Sequence, residues 1–290
     1  MTIPEHSSRG GGKTSSVDVL RTSRAGVWLA RAVLDAVSKQ LFDEITIKGL
    51  DNLPKPDGRG LIIVGNHPSN AAVLPLVVAL AKNAQQMPDD DARAQRIPHM
   101  LAKSELFPLL LGVIMRLIGQ IPVERSAGVD ALRQAALILK QGGLIGIYPE
   151  GTRTKNPDGW PTPVTMEEQL ADKLAGLKPD SRRYQETLDK IEGYGYDGHY
   201  QPGMTWLAQK TGALIVPTLT YVDDAGGKPN IMIEFSEPIT APANSSKQAS
   251  ERRKAESLFT ARIMLIIAEM MANAKGEQLP DKICEGIWLG

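Results

Sequence analysis

The strongest constraint on this chain is a strand that runs directly into a polar turn and then into an apolar helix. Leu61-Ile62-Ile63-Val64 is continuously apolar, as a strand covered on both faces must be, and it stops at Gly65-Asn66-His67-Pro68-Ser69-Asn70. From Ala71 to Lys82 the residues are apolar and, apart from Pro75, compatible with a helix. The pattern recurs at Leu144–Tyr148, which stops at Pro149-Glu150-Gly151-Thr152-Arg153, and again at Ala213–Tyr221. Helical segments at Asp130–Gln141 and Met204–Thr211 alternate with these strands. Such alternation predicts an α/β fold: a single domain with a mostly parallel central sheet flanked by helices. In sheets of this kind functional groups collect beyond the carboxyl ends of the strands, so the His67 and Glu150 turns are expected to line one cleft.

The flanks add detail. Over Gly26–Phe42, apolar Val27, Ala30, Val33, Leu34, Val37 and Leu41 recur at spacings of three and four, which predicts an N-terminal helix with one apolar face. That face either packs on the core or lies on a bilayer with Trp28 as an interfacial anchor. Residues 1–23 are polar and Gly/Ser-rich and are expected to be a disordered tail, leaving 24–290 as the domain. Asp43–Gly49 reads as a short strand. The segment 155–200 breaks the strand and helix alternation and reads as an insertion over the site, with short helices near 166–176 and 182–193. Ala249–Lys275 reads as a helix that docks Leu258, Ile263, Ile266, Ile267 and Met270 on the sheet.

Bulk properties exclude some classes. Lysine plus arginine and aspartate plus glutamate both count 33, so no global field favours nucleic acid, and any anion site must be local. The single cysteine, Cys284, rules out an internal disulfide and a cysteine zinc cluster, and no metal is expected. No apolar signal segment opens the chain, and the stretches Ala71–Ala81 and Leu106–Met115 fall short of the roughly 18 residues a spanning helix needs. A cytoplasmic protein in peripheral contact with a membrane is the expectation.

Within this frame His67 is the natural general base. It sits in a turn that exposes the imidazole, and a histidine near its ordinary pKa of about 6.5 accepts a hydroxyl proton at neutral pH. Histidines in turns are nevertheless more often structural. The other histidines have weaker settings: His6 in the tail, His99 in a loop before Met100, His199 in the inserted segment. Lys103, Arg125 and Arg153 each follow or precede an apolar stretch, and singly each reads as a solvated surface charge. Brought to one cleft, two guanidinium groups and an ammonium would bind a phosphate well.

The order of these segments resembles the glycerolipid acyltransferase family that includes 1-acylglycerol-3-phosphate O-acyltransferases. Asn66 and His67 match the opening of its Asn-His-x-x-x-x-Asp motif, and Gly119 to Ser126, with Arg125, matches its arginine motif. Tyr148 to Arg153 matches its Phe-Pro-Glu-Gly-Thr-Arg motif, and Ile215-Val216-Pro217 its Val-Pro strand end. Ala102 to Leu106 is similar to the family's lysine-bearing stretch. Together they span Ile45 to Ser236.

This resemblance implies acyl transfer from an acyl-CoA or acyl carrier protein thioester, with no bound cofactor, to a lysophospholipid hydroxyl, most simply that of lysophosphatidate. It implies His67 as base and Asn66, Lys103, Arg125, Glu150, Gly151, Thr152 and Arg153 as the substrate-binding set. The chain departs from the family at Ala72, where the motif carries its aspartate, and no acidic residue lies between Asn66 and Asn83. An engineered change, a natural loss of activity or a carboxylate supplied from elsewhere would each leave this sequence. Two other readings therefore stand beside the first: a non-catalytic lipid-binding relative, and an acyltransferase acting on another glycolipid hydroxyl.

Overall fold

The computed structural model describes residues 24–103, 120–123, 128–151, 154, 159–161, 178–182, 184–186, 200–223, 226–243, 246–281 and 283. At its centre is β2 (Leu61–Gly65), buried along its whole length. It pairs in parallel with β5 (Leu144–Ile147) on one side and β6 (Leu214–Asp223) on the other. Beyond β5 lie β3 (Pro98–Lys103) and β4 (Ile121–Val123), also parallel. Beyond β6 come β7 (Asn230–Phe235), antiparallel to it, and β1 (Ile45–Lys48), parallel to β7. The short β8 (Ile239–Thr240) runs antiparallel to the start of β6. The sheet is mostly parallel, as expected.

Both faces of β2 are covered, which is why its sequence is a continuous apolar run and not an alternation. Ile62 and Val64 face a cluster built with α4 (Gly128–Lys140), α5 (Gly203–Thr211) and α6 (Ala249–Lys275), including Ile138, Met204 and Ile267. Leu61 and Ile63 face Leu76, Val77 and Leu80 of α2 (Val73–Gln85). Each fully buried aliphatic side chain of this kind contributes about 1.5–3 kcal/mol of transfer free energy. The result is three layers, helix, sheet and helix. Because β2, β5 and β3 are parallel, the residues that follow them all leave from one edge.

Several expectations need correction. His99 lies inside β3 and is buried opposite Ile145, so it is a strand residue and not a loop residue. Leu258 points outward on α6, while Ile263, Ile267 and Met270 are buried as expected. The apolar face expected of the N-terminal helix is split. In α1 (Arg24–Leu41), Leu34 packs inward and Ser38 is buried, yet Leu29, Val33, Val37 and Leu41 are 69%, 53%, 39% and 40% exposed. The helix is fastened to α2 through Asp35, whose carboxylate lies 3.0 Å from the Lys82 ammonium and 2.8 Å from that of Lys39. Hydrogen bonds from these lysines hold the Asp35 carboxyl below its ordinary range. Half-exposed pairs like these add about 1 kcal/mol or less, so they set orientation more than stability. Phe42 completes the attachment by burying itself at the helix end.

The tail 1–23, the stretch Leu106–Met115 and the helix expected at 166–176 lie outside the described residues, as does most of 182–193. Both ends of the 155–200 segment that are described belong to the core. Trp160 and Tyr200 are buried, and the Tyr200 hydroxyl donates to the Pro161 carbonyl at 2.9 Å. A short helix, α3 (Asp90–Gln95), capped by the Asp89 carboxylate, connects α2 to β3.

Candidate active site

The site is assembled where β2 and β5 end. Past Gly65 the chain turns, and Asn66 holds the turn against the neighbouring strand. Its side-chain Nδ2 donates to the Thr220 carbonyl at 2.9 Å and its Oδ1 accepts from the Thr220 N–H at 2.9 Å. Asn66 thus satisfies two backbone groups of β6 that would otherwise be buried without partners, a cost of about 1–3 kcal/mol each. The turn ends with Ser69, whose hydroxyl oxygen accepts from the Ala72 N–H at 3.1 Å and starts α2. Gly65 is suited to the junction, since a Cβ there would stand 3.1 Å from the Thr218 carbonyl oxygen and 3.4 Å from the Tyr148 ring.

From the adjacent strand, the turn after β5 reaches across to His67. The His67 N–H donates to Glu150 Oε1 at 3.0 Å, and the Thr154 hydroxyl donates to the same oxygen at 2.9 Å. The Thr154 N–H in turn donates to the His67 carbonyl at 2.8 Å. Glu150 is therefore the tie between the two turns. Gly151 makes the bend possible: its φ of 66° is left-handed, a conformation costing other residues about 1–2 kcal/mol, and its N–H closes onto the Tyr148 carbonyl at 3.0 Å. Behind the turn, the Gln201 N–H donates to the Pro149 carbonyl at 2.9 Å. Burial, and after it the Glu150 charge, pushes the Tyr200 phenol well above its ordinary range.

The imidazole of His67 stacks on Tyr148, with ring centroids 4.5 Å apart and planes inclined by 30°. Burial raises the Tyr148 phenol far above its usual range, so it is neutral at physiological pH. His67 itself is half-buried.

Of the residues singled out in the sequence, the structure brings Asn66, His67, Glu150 and Gly151 together. Lys103 closes β3 on the same edge, and β4 ends there at Val123. Arg125, Thr152 and Arg153 lie outside the described residues, as does the Lys103 side chain. Asn66 and Glu150, expected to touch substrate, are both buried and brace the turns: Asn66 has its amide turned onto β6, and Glu150 has Oε1 on His67 and Thr154. Ala72, at the place of the expected aspartate, is 1% exposed and packs with Phe42 and Ile231 in an apolar cluster. Thr154, Thr220, Ser69 and the Tyr148 stack were not singled out. Only Tyr148 left a signal, as the aromatic opening the Tyr-Pro-Glu-Gly turn.

Among the described residues no group of three or more His, Cys, Asp or Glu side chains is placed to hold a metal ion. What the edge presents is a histidine on a braced turn, beside a second turn braced by a carboxylate. Such a constellation suits proton transfer at a hydroxyl.

Residues 44–220 match the model of the acyltransferase family, and the chain belongs to that family. A chloroplastic 1-acyl-sn-glycerol-3-phosphate acyltransferase of Arabidopsis thaliana is 29% identical over 125 residues, 42% of this chain and 31% of the relative. The 1-acyl-sn-glycerol-3-phosphate acyltransferase of Bacillus subtilis is 38% identical over 58 residues, 19% of this chain and 29% of its own length. The chain thus spans about a third of the length of the curated relatives it matches. Among solved structures, the 1-acyl-sn-glycerophosphate acyltransferase PlsC of Thermotoga maritima aligns with a TM-score of 0.46 at 19% identity, over 83% of this chain and 79% of that one.

Proposed function

We propose that the chain transfers a fatty acyl group from an acyl-CoA or acyl carrier protein thioester to the free hydroxyl of a lysophosphatidate, forming phosphatidate for phospholipid synthesis. The observation that carries this reading is His67, held at the sheet edge by Glu150, in a chain of the acyltransferase family. One imidazole nitrogen accepts the hydroxyl proton as the oxygen attacks the thioester carbonyl. The tetrahedral oxyanion then collapses, expelling a thiolate that recovers the proton from the imidazolium. No bound cofactor takes part. The acceptor phosphate is held by Lys103, Arg125 and Arg153, beside Gly151 and Thr152. Arg125→Ala and Arg153→Ala are each expected to raise the KM for lysophosphatidate roughly tenfold to a hundredfold, the loss of a charged hydrogen bond. Steady-state kinetics with acceptors bearing and lacking a phosphate decide this; equal effects on both rule out a phosphate site.

Ala72 favours a second reading, a lipid-binding relative without catalysis. Lysophosphatidate binding measured beside acyl transfer separates the two: retained binding with no transfer by the intact chain supports the second.

Both acceptor and product of this reaction reside in a bilayer, and α1 offers the contact. Leu29, Val33, Val37 and Leu41 form an outward row at spacings of four, on a helix whose other side is fixed to α2. Among the described residues no helix is long and apolar enough to cross a membrane. The chain is proposed to lie peripherally on the cytoplasmic face. Changing Leu29, Val33 and Val37 together to serine should reduce flotation with anionic liposomes at least about tenfold, because each apolar side chain is worth on the order of 1 kcal/mol or more when buried. The inward Leu34 and Phe42 make these substitutions cleaner than deleting the helix. Equal flotation of the variant and the parent rejects α1 as the membrane contact.

A further inference from the structure

We propose that the ring of Tyr148 orients His67 and stabilises its imidazolium, a task the family motif gives to the aspartate that is alanine at position 72. The inference rests on the reading of His67 as general base. In a histidine-based transfer, a carboxylate beside the ring does two things: it fixes the ring's orientation, and it favours the charged imidazolium as the proton arrives. Position 72 supplies neither here. Its methyl group lies in an apolar cluster with Phe42 and Ile231.

Tyr148 is placed for both tasks. The 4.5 Å centroid separation with 30° between planes is an offset stack, which restrains rotation of the imidazole about its χ angles. The electron-rich face of an aromatic ring also attracts a cation lying over it, so protonation of His67 strengthens the contact. The Tyr148 ring is itself held. It packs against the Leu61, Ile63 and Val216 cluster, and its backbone carbonyl accepts the Gly151 N–H. The ring, not the hydroxyl, is the working part, because the neutral phenol has no charge to offer.

The test uses the full chain in five forms: parent, Tyr148→Leu, Tyr148→Phe, and Ala72→Asp with and without Tyr148→Leu. Tyr148→Leu should lower kcat for acyl transfer roughly 3- to 30-fold with little change in KM, the range expected for loss of a cation–π contact. Tyr148→Phe should restore kcat to within about threefold of the parent. In the Ala72→Asp background the same leucine change should cost less, because a carboxylate then shares the task; a merely structural role would give equal losses in both backgrounds. Nuclear magnetic resonance of the His67 ring provides a readout independent of turnover. Tyr148→Leu should remove an upfield ring-current shift and alter the balance of imidazole tautomers, and Tyr148→Phe should leave both in place. Equal kinetic losses in both backgrounds, or unchanged His67 resonances in Tyr148→Leu, overturn the proposal. If no form transfers acyl groups, the acyltransferase reading fails, and the resonances alone decide what Tyr148 does to the ring.

Discussion

Replacing His67 by alanine is expected to reduce acyl transfer by about 10²- to 10⁴-fold, the range of a positioned general base, and to leave the fold intact. The fold should survive because the turn is not built by the imidazole. Its bonds run through the His67 backbone: the N–H to Glu150, the carbonyl from Thr154, and the preceding Asn66 amide onto Thr220. Alanine keeps every one of them. What is lost is the group proposed to take the acceptor's proton, together with the stack on Tyr148. Rates should be compared at equal folded content, judged by circular dichroism and thermal unfolding. A variant that is folded and as active as its parent removes His67 from the mechanism, and with it the chemistry proposed for this edge.

The contrast between that turn and its surroundings shows what a sequence carries. β2 and the His67 turn were legible because a strand covered on both faces must be apolar throughout, and a polar hexapeptide that interrupts such a run has few places to go. The helix Ala249–Lys275 was legible for another reason, a 27-residue run without glycine or proline that is rich in strong helix formers. β7 has the simpler period of two, with Ile231, Ile233 and Phe235 buried and Met232 and Glu234 half-buried between them, yet six residues interrupted by Glu234 carry little weight against loop-like surroundings. The roles inside the site were harder. Nothing near Asn66 in the sequence points to Thr220, 154 residues away, which its amide meets. Nor does anything near Glu150 announce its bond to the His67 backbone. Long-range pairing of this kind leaves no local mark, because either partner is acceptable in a turn or a strand by itself. Val33, Val37 and Leu41 of the outward row on α1 were recognised as apolar and Leu29 was not, and which side of the helix meets the core depends on Lys82 and on the burial of Phe42, both outside the helix.

Ala72→Asp should have the largest effect of all in the upward direction, raising turnover by roughly 10² to 10⁴, since removing the orienting carboxylate from a histidine-based triad costs about that much. Position 72 lies at the start of α2, just past the turn that Ser69 closes, so a carboxylate there stands at the helix end where amide dipoles favour negative charge by about 0.3–1 kcal/mol. Its surroundings act against it. The present methyl group is buried with Phe42 and Ile231, and a carboxylate in that cluster gives up hydration that one or two hydrogen bonds only partly replace. The variant should therefore be less stable than the parent, by about 1–3 kcal/mol, while being the better catalyst. The two effects have separate causes and can be read separately. Turnover depends on whether the new carboxylate reaches the imidazole; stability depends on how well it is paired once Phe42 has excluded water. Phe42→Leu, which costs packing in either background, should cost less beside the aspartate than in the parent, because a looser cover lets water reach the carboxylate. In the proposed reading other groups bind the acceptor phosphate, so the KM for lysophosphatidate should change little. If Ala72→Asp folds, binds lysophosphatidate and transfers no faster than its parent, then position 72 has no access to the base, and the triad mechanism does not describe this chain.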